Sequence, residues 1–566
     1  MLLVLVAVVG WRVWQVKEAL GASEDAASAL EAAIRDDDSA AADRAQTDLE
    51  NHAAAADSGT SGPIWSTLRH LPLIGDDADA VRLASSALVD LVRSAVPALR
   101  TVADQRDDLL PQDGQVPLDR IAALRDPVAT ADRAVGRSAD RLDQVDADAL
   151  LGPLRSRWRS LVERVDQARA DLTAARAAVD LLPTMLGGDG PRHLLLIFEN
   201  NAEIRATGGL PGSAAEVTAD DGRLSLGRQV AGSDLVGTTP VLPLTEAERR
   251  IYGPRLATDF RQANWTPDFP RSADLWEANW NQRFPADPVD GVVAIDPVAL
   301  SYLLRATGPI TVGAVTLTSD NAVDELLSNV YARIPDPPDQ DVFFRQVAAA
   351  VFARFTSGVQ DTSALLGAFR QGVTEGRIRV QSSLPAEQGA LARFSIAGVL
   401  PTTPTREPQL GLYLVDATGS KMSYYLRTAA QVEAVSCVDR VQRFDVTATL
   451  SSTLRPEDAA ALPDYVAGDY EDIALDRGDQ IVTVRLYGPI DGRVVTQSID
   501  GATPKKAPIV ESDGRGVATV YLVVPPGRSV SVTWRVQTPA GQTGSPQLQL
   551  TPGVTANEVS VDPSAC

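Results

Sequence analysis

At 566 residues the chain exceeds what one ordinary hydrophobic core supports, so several domains are expected. A formal net charge of -22 and a pI near 4.6 exclude non-specific nucleic-acid binding, which needs a basic footprint. His52, His70 and His193 are scattered, and Cys437 and Cys566 are the only cysteines, which leaves little material for a His/Cys metal site or a Ser-His-Asp triad.

Residues 1–10 are apolar apart from the final glycine, and Trp11, Arg12, Trp14 and Lys17 follow. A bilayer span takes about 20 apolar residues. Residues 1–15 therefore read as a membrane anchor lacking upstream residues, or as a signal remnant. Ala19-Leu20-Gly21-Ala22 is a weak cleavage site that keeps secretion open as the alternative, and a helix buried in a soluble protein is the third reading. With a single N-terminal anchor in the cell membrane, the bulk of the chain is expected on the extracytoplasmic side.

Residues 16–57 are Ala-rich, acidic and free of proline, with Leu30, Ile34 and Leu49 as sparse apolar positions, which predicts one long helix with a thin buried stripe. An apolar knot of Trp65, Leu68, Leu71 and Ile74 breaks it around Pro63 and Pro72. Helical periodicity returns in stretches up to Val179, so residues 16–186 are expected to form an antiparallel helical bundle or stalk whose Asp and Arg residues are solvated faces. Gly187 and Gly190 end it.

From there the pattern alternates between strands and short helices, which predicts an α/β layered domain over residues 187–400. Residues 194–198 and 289–295 read as strands, 215–218 and 223–230 as a hairpin across Asp220-Asp221-Gly222, and 310–317 as a further strand. Residues 272–282, 299–306, 319–331 and 342–355 read as helices. After the Pro/Thr-rich residues 401–408, short strands separated by Gly, Pro and Asp turns, one of them at 422–426, predict an immunoglobulin-like β-sandwich over residues 401–566. The fold class expected is thus multidomain α+β. The even cysteine count in an oxidising compartment predicts a Cys437–Cys566 bridge.

The densest polar stretch is Glu199-Asn200-Asn201-Ala202-Glu203-Ile204-Arg205-Ala206-Thr207-Gly208-Gly209, placed just after the apolar run 194–198, at a strand end. It resembles the N-N-x-E-x-R-x-T-G-G pattern of an actinobacterial cell-envelope family, number 4012 of the domains of unknown function. Further blocks similar to that family begin at Asp259-Phe260-Arg261-Gln262-Ala263-Asn264, Val289-Asp290-Gly291, Ala306-Thr307-Gly308-Pro309 and Gly419-Ser420-Lys421-Met422-Ser423-Tyr424-Tyr425. The central region also resembles the LytR-CpsA-Psr family at Ala263-Asn264, at residues 290–296 and at residues 306–310, although its R-x-D-T strand and S-I-P-R-D segment are not found where expected. That resemblance implies a glycopolymer phosphotransferase acting on polyprenyl-pyrophosphate carriers with a magnesium ion.

On this reading Arg205 and Arg261 clamp a pyrophosphate and Asp259 joins them as a catalytic group. Asn201, Glu203, Asn264 and Asp290 would line the ligand, and Asp268 and Asp296 would hold Mg²⁺. The expected partners are the membrane and a lipid-linked glycan or cell-wall polymer. The alternative is a non-catalytic envelope assembly or scaffold protein. A solvent-connected convergence of Arg205, Arg261, Asp259 and Asp296 would favour transfer, and full internal pairing would favour the scaffold. Trp265, Trp276 and Trp280 would stack on sugars if exposed, but their helical spacing favours a core role.

Overall fold

A computed structural model describes the chain except residues 1, 37, 73, 113, 360, 469–474 and 502–508, and describes no side chain of residues 2–10. The described residues form two compact units, Met1–Leu110 with Pro117–Met185, and Pro111–Val116 with Leu186–Cys566.

The first unit is helical. The single helix expected over residues 16–57 is two, Leu2–Arg35 and Ser39–Thr60, because the Asp38 carboxylate accepts from the Ala41 amide and starts a new helix there. The pair is antiparallel: Ala33 packs near Ala42, and Val16 reaches the backbone at Gly59. Alanines along this seam let the backbones approach closely. Among the described residues no helix is long and apolar enough to cross a membrane; residues 2–15, within the expected anchor, open the helix Leu2–Arg35. The helices Arg125–Leu142 and Gly152–Met185 add a core of Ala131, Val135, Leu142, Trp158 and Val165. Ion pairs such as Arg169–Asp140 and Arg176–Asp132 sit on the surface, where each contributes about 1 kcal/mol or less.

The second unit begins with β1 (Arg192–Arg205), β2 (Gly208–Asp220), β3 (Arg223–Ala231) and β4 (Gly291–Ile295), followed by the small hairpin β5 (Ile310–Val312) and β6 (Val315–Leu317), then β7 (Ile378–Ser382). The main sheet has the order β3-β2-β1-β4-β7, and β1 and β4 are parallel. Asp221 and Gly222, both at positive φ, make the predicted turn between β2 and β3. The strand expected over 310–317 is instead the β5-β6 hairpin. Leu195, Ile197, Val292 and Ala294 face one side of the main sheet, against Phe269, Trp276 and Trp280. On the other side Ile378 meets Gly372 of the helix Thr362–Thr374, close to Ala299 of the helix Pro297–Thr307. Trp276 and Trp280 are core residues, and their indole N–H groups donate to the Phe260 and Asp287 carbonyls.

The C-terminal strands are β8 (Gln409–Asp416), β9 (Leu426–Val438), β10 (Val441–Ser452), β11 (Gln480–Tyr487), β12 (Arg493–Ile499), β13 (Ile509–Ser512), β14 (Arg515–Val524), β15 (Ser529–Gln537), β16 (Gln547–Leu550) and β17 (Glu558–Val561). They make two sheets, β12-β15-β10-β9-β17 and β13-β14-β11-β8-β16, around one core. The strand expected at 422–426 is a short helical turn, Met422–Tyr424, before β9. On β8, Leu410, Leu412 and Leu414 enter the sandwich core, whereas Tyr413 and Val415 enter the core built on β1 and β4. Its run of apolar residues thus reflects burial on both faces, and residues 186–400 and 401–566 share a core. Cys437, at the end of β9, is bonded to Cys566, with a Cα separation of 5.1 Å.

Candidate functional site

The apolar run 194–198 does not end at its polar neighbours, because β1 continues through them to Arg205 and turns back at Ala206-Thr207. Its ladder with β2 shifts between Asn200 and Ile204, so Asn201, Ala202 and Glu203 bulge out. Gly209 permits this bulge: a Cβ there would stand 2.3 Å from the Asn200 carbonyl carbon and 2.5 Å from the Asn201 nitrogen.

The bulge is gripped by the segment after β8. The Glu203 carboxylate accepts from Arg205 at 2.7 Å and from Lys421 Nζ at 2.5 Å. Burial pushes this carboxyl up, but Lys421 and Arg205 outweigh it and bring it down to about 2. Arg205 is 2 % exposed and also donates to Gln262 and to the Ile204 carbonyl. Ser423 Oγ accepts from the Ile204 amide at 3.1 Å, while the Asp416 carboxylate accepts from the amides of Gly419 and Ser420 and keeps that segment turned. Two of the sequence blocks singled out above, residues 199–209 and 419–425, are therefore one interlocked structure.

A second polar cluster lies at the carboxyl ends of the parallel pair. Phe198 and Ile295 are the last paired residues of β1 and β4, and Glu199 and Asp296 follow them. Glu199 is buried and accepts from Thr207 at 2.7 Å and Asn264 at 3.1 Å; burial raises its carboxyl to about 7 despite these bonds. Asn264 also donates to the Gly209 carbonyl. Asp296 caps the helix Pro297–Thr307 by accepting from the Ala299 amide at 2.7 Å, and its other oxygen accepts from Asn201 at 3.0 Å and Arg377 at 2.9 Å. Arg377 is held further by Glu375 and the Gly553 carbonyl. The Oδ1 atoms of Asn201 and Asn264 are buried without a protein partner among the described residues.

The remaining expected site residues are each held by another partner. Arg261 clasps the buried Asp259 carboxylate at 3.1 and 3.2 Å, and Arg255 joins at 3.2 Å. Asp268 accepts from the Leu400 amide at 2.9 Å, and burial raises its carboxyl. Asp290 pairs with Arg192 at 2.8 Å. The expected convergence of Arg205 and Arg261 on one open cleft is thus not seen: the first is enclosed beside Glu203, the second is bound to Asp259. Among the described residues no three acidic, histidine or cysteine side chains come together as a metal site. Lys421 and Arg377 were missed as members of these clusters. Lysine is so rare here that Lys421, inside a family-like block, carried a readable signal; Arg377 carried none, since only the β4-β7 pairing brings it to Asp296.

Residues 189–331 match the model of a family described as "Protein of unknown function (DUF4012)". No curated protein matches the chain. A solved structure, titled as the crystal structure of the transcriptional regulator yvhJ from Bacillus subtilis, is similar at 12% identity over 37% of this chain and 77% of that one. Its TM-score of 0.22 is too low to establish a common fold.

Proposed function

We propose, for a chain that over residues 189–331 belongs to the DUF4012 family, a non-catalytic role as an extracytoplasmic envelope protein that holds or assembles partners. One observation carries this reading. The groups expected to perform transfer, Arg205, Asp259, Arg261 and Asp296, are each committed to an internal partner. A buried charge pair of this kind fixes which segments meet, and here it joins the bulge of β1 to the segment 419–423. The Cys437–Cys566 bridge supports an oxidising compartment.

The test is titration of the full chain with farnesyl pyrophosphate, with and without Mg²⁺, followed by calorimetry. No saturable binding is expected, and Arg205→Ala is expected to lower the melting temperature. Saturable binding that Arg261→Ala weakens while the fold survives would replace this reading with lipid-linked glycan transfer. For location, a C-terminal tag should be open to protease in intact spheroplasts; a protected tag would remove the envelope assignment.

A further inference from the structure

The Pro/Thr-rich segment 401–408, Pro-Thr-Thr-Pro-Thr-Arg-Glu-Pro, leads into β8 and belongs to neither polar cluster. Proline fixes φ at roughly −65° and lacks the amide proton that helices and sheets use, so Pro401, Pro404 and Pro408 keep this stretch irregular. Its two ends are fastened to one group. Arg515, at the start of β14 and 1 % exposed, donates to the Pro401 carbonyl at 3.1 and 2.7 Å and to the Gln409 carbonyl at 2.7 Å. Residues 402–407 between these fastenings are exposed, so the loop is displayed on a fixed base.

Within it the hydroxyls of Thr402 and Thr403 have no hydrogen-bond partner among the described residues. Thr405 differs, since its hydroxyl donates to the Glu407 carbonyl at 2.7 Å. Threonines on regular elements are also engaged: Thr47, Thr101 and Thr173 donate to carbonyls one helical turn back, and Thr447 is bonded to Thr533 across two strands.

An enzyme that modifies a hydroxyl must grip an irregular backbone and reach an oxygen with no competing bond. Threonine-rich segments with proline meet both needs, and O-glycosylation is characteristic of them. Outside the cytoplasm no nucleotide pool supplies an activated sugar, so the sugar arrives on a lipid carrier. We propose that Thr402 and Thr403 are acceptors of O-linked hexose from a polyprenyl-phosphate hexose. The threonine oxygen attacks the anomeric carbon, the bond from that carbon to the phosphate oxygen breaks, polyprenyl phosphate leaves, and the hydroxyl proton passes to a base of the transferase. The compartment is that of the extracytoplasmic reading above, on which this step rests; the choice of threonines is independent of it.

The experiment is peptide mapping of the full chain, carrying a C-terminal tag and isolated from the cells that naturally make it. Trypsin cuts after Arg393 and Arg406, and the peptide 394–406 should be heavier by one or more whole hexose residues, located on Thr402 or Thr403 by electron-transfer fragmentation. Thr402→Val combined with Thr403→Val should abolish the increment and leave the melting temperature near wild type, because both side chains are exposed. Peptides carrying Thr47, Thr101 and Thr173 should stay unmodified. An unmodified 394–406 peptide, hexose confined to Thr405, hexose on the helical threonines as well, or an increment that survives in the double variant would each overturn the proposal. Protease access to the tag in spheroplasts separates the two readings: an unmodified peptide with an open tag removes glycosylation alone, and one with a protected tag removes the extracytoplasmic assignment too.

Discussion

Replacing Glu199 by glutamine separates the buried clusters from ordinary surface charge. Its carboxyl is raised to about 7 from an ordinary 4.5, chiefly by burial. The folded chain therefore holds a proton that the unfolded chain releases above pH 4.5, so this group's contribution is fully present at low pH and is lost as pH rises through 7. At about 1.36 kcal/mol per pH unit, the contribution falls by roughly 2.5 kcal/mol between about pH 5 and pH 8. Glutamine retains an oxygen for Thr207 and Asn264 but cannot ionise. Urea unfolding of both proteins, followed by tryptophan fluorescence across that interval, should show Glu199→Gln gaining stability on wild type as pH rises, by about 2.5 kcal/mol in all. A difference that stays flat with pH would refute the reasoning, because it would mean that Glu199 is charged or solvated in the folded state throughout.

Glu203→Ala leaves Arg205 and Lys421 buried without a counter-charge and should destabilise by about 3–5 kcal/mol in the same assay; a loss below about 1 kcal/mol would deny the latch any weight. Since the Glu203 carboxyl is held near 2 against an ordinary 4.5, its stabilisation is present above pH 4.5 and fades as pH falls toward 2, so Lys421→Ala should blunt acid unfolding in that interval. Gly209→Ala drives a Cβ into the bulge and should cost about 1–3 kcal/mol, whereas Gly212→Ala, whose Cβ meets only the Leu210 carbonyl at 4.0 Å, should change stability by about 0.5 kcal/mol or less. Cys437→Ser frees the C-terminus that β17 leads into and should lower stability by about 2–4 kcal/mol, with faster amide exchange first at residues 558–561; uniform exchange across both sheets would show the bridge acting on the whole unit instead.

Much of the architecture was legible because it follows from local rules. Alternation and turn residues located β2, β3 and most strands of the sandwich, and periodicity located the helix after β4. Legibility failed where tertiary partners replaced water. The run Glu199 to Arg205 reads as a loop because polar residues in succession are expected in solvent, yet here Lys421, Asn264 and Asp296 supply what water would. The turn at residues 422–424 was hidden in the same way, since the amides beside it are satisfied by Asp416 from the preceding strand. Asp38 is the reverse case, a local N-cap signal set within an Ala-rich run whose composition favours one continuous helix.

By itself the sequence determined the chain's division into a helical part and a mixed part and the pairing of its only two cysteines, because composition, periodicity and residue count are read without tertiary contacts. Only the tertiary structure decided that Arg205 is tied to Glu203 and Arg261 to Asp259, and that Lys421 and Arg377 complete the clusters they enter. The physical reason is that a buried charge is tolerated only beside its counter-charge, and here those partners come from segments 218 and 81 residues away in the chain.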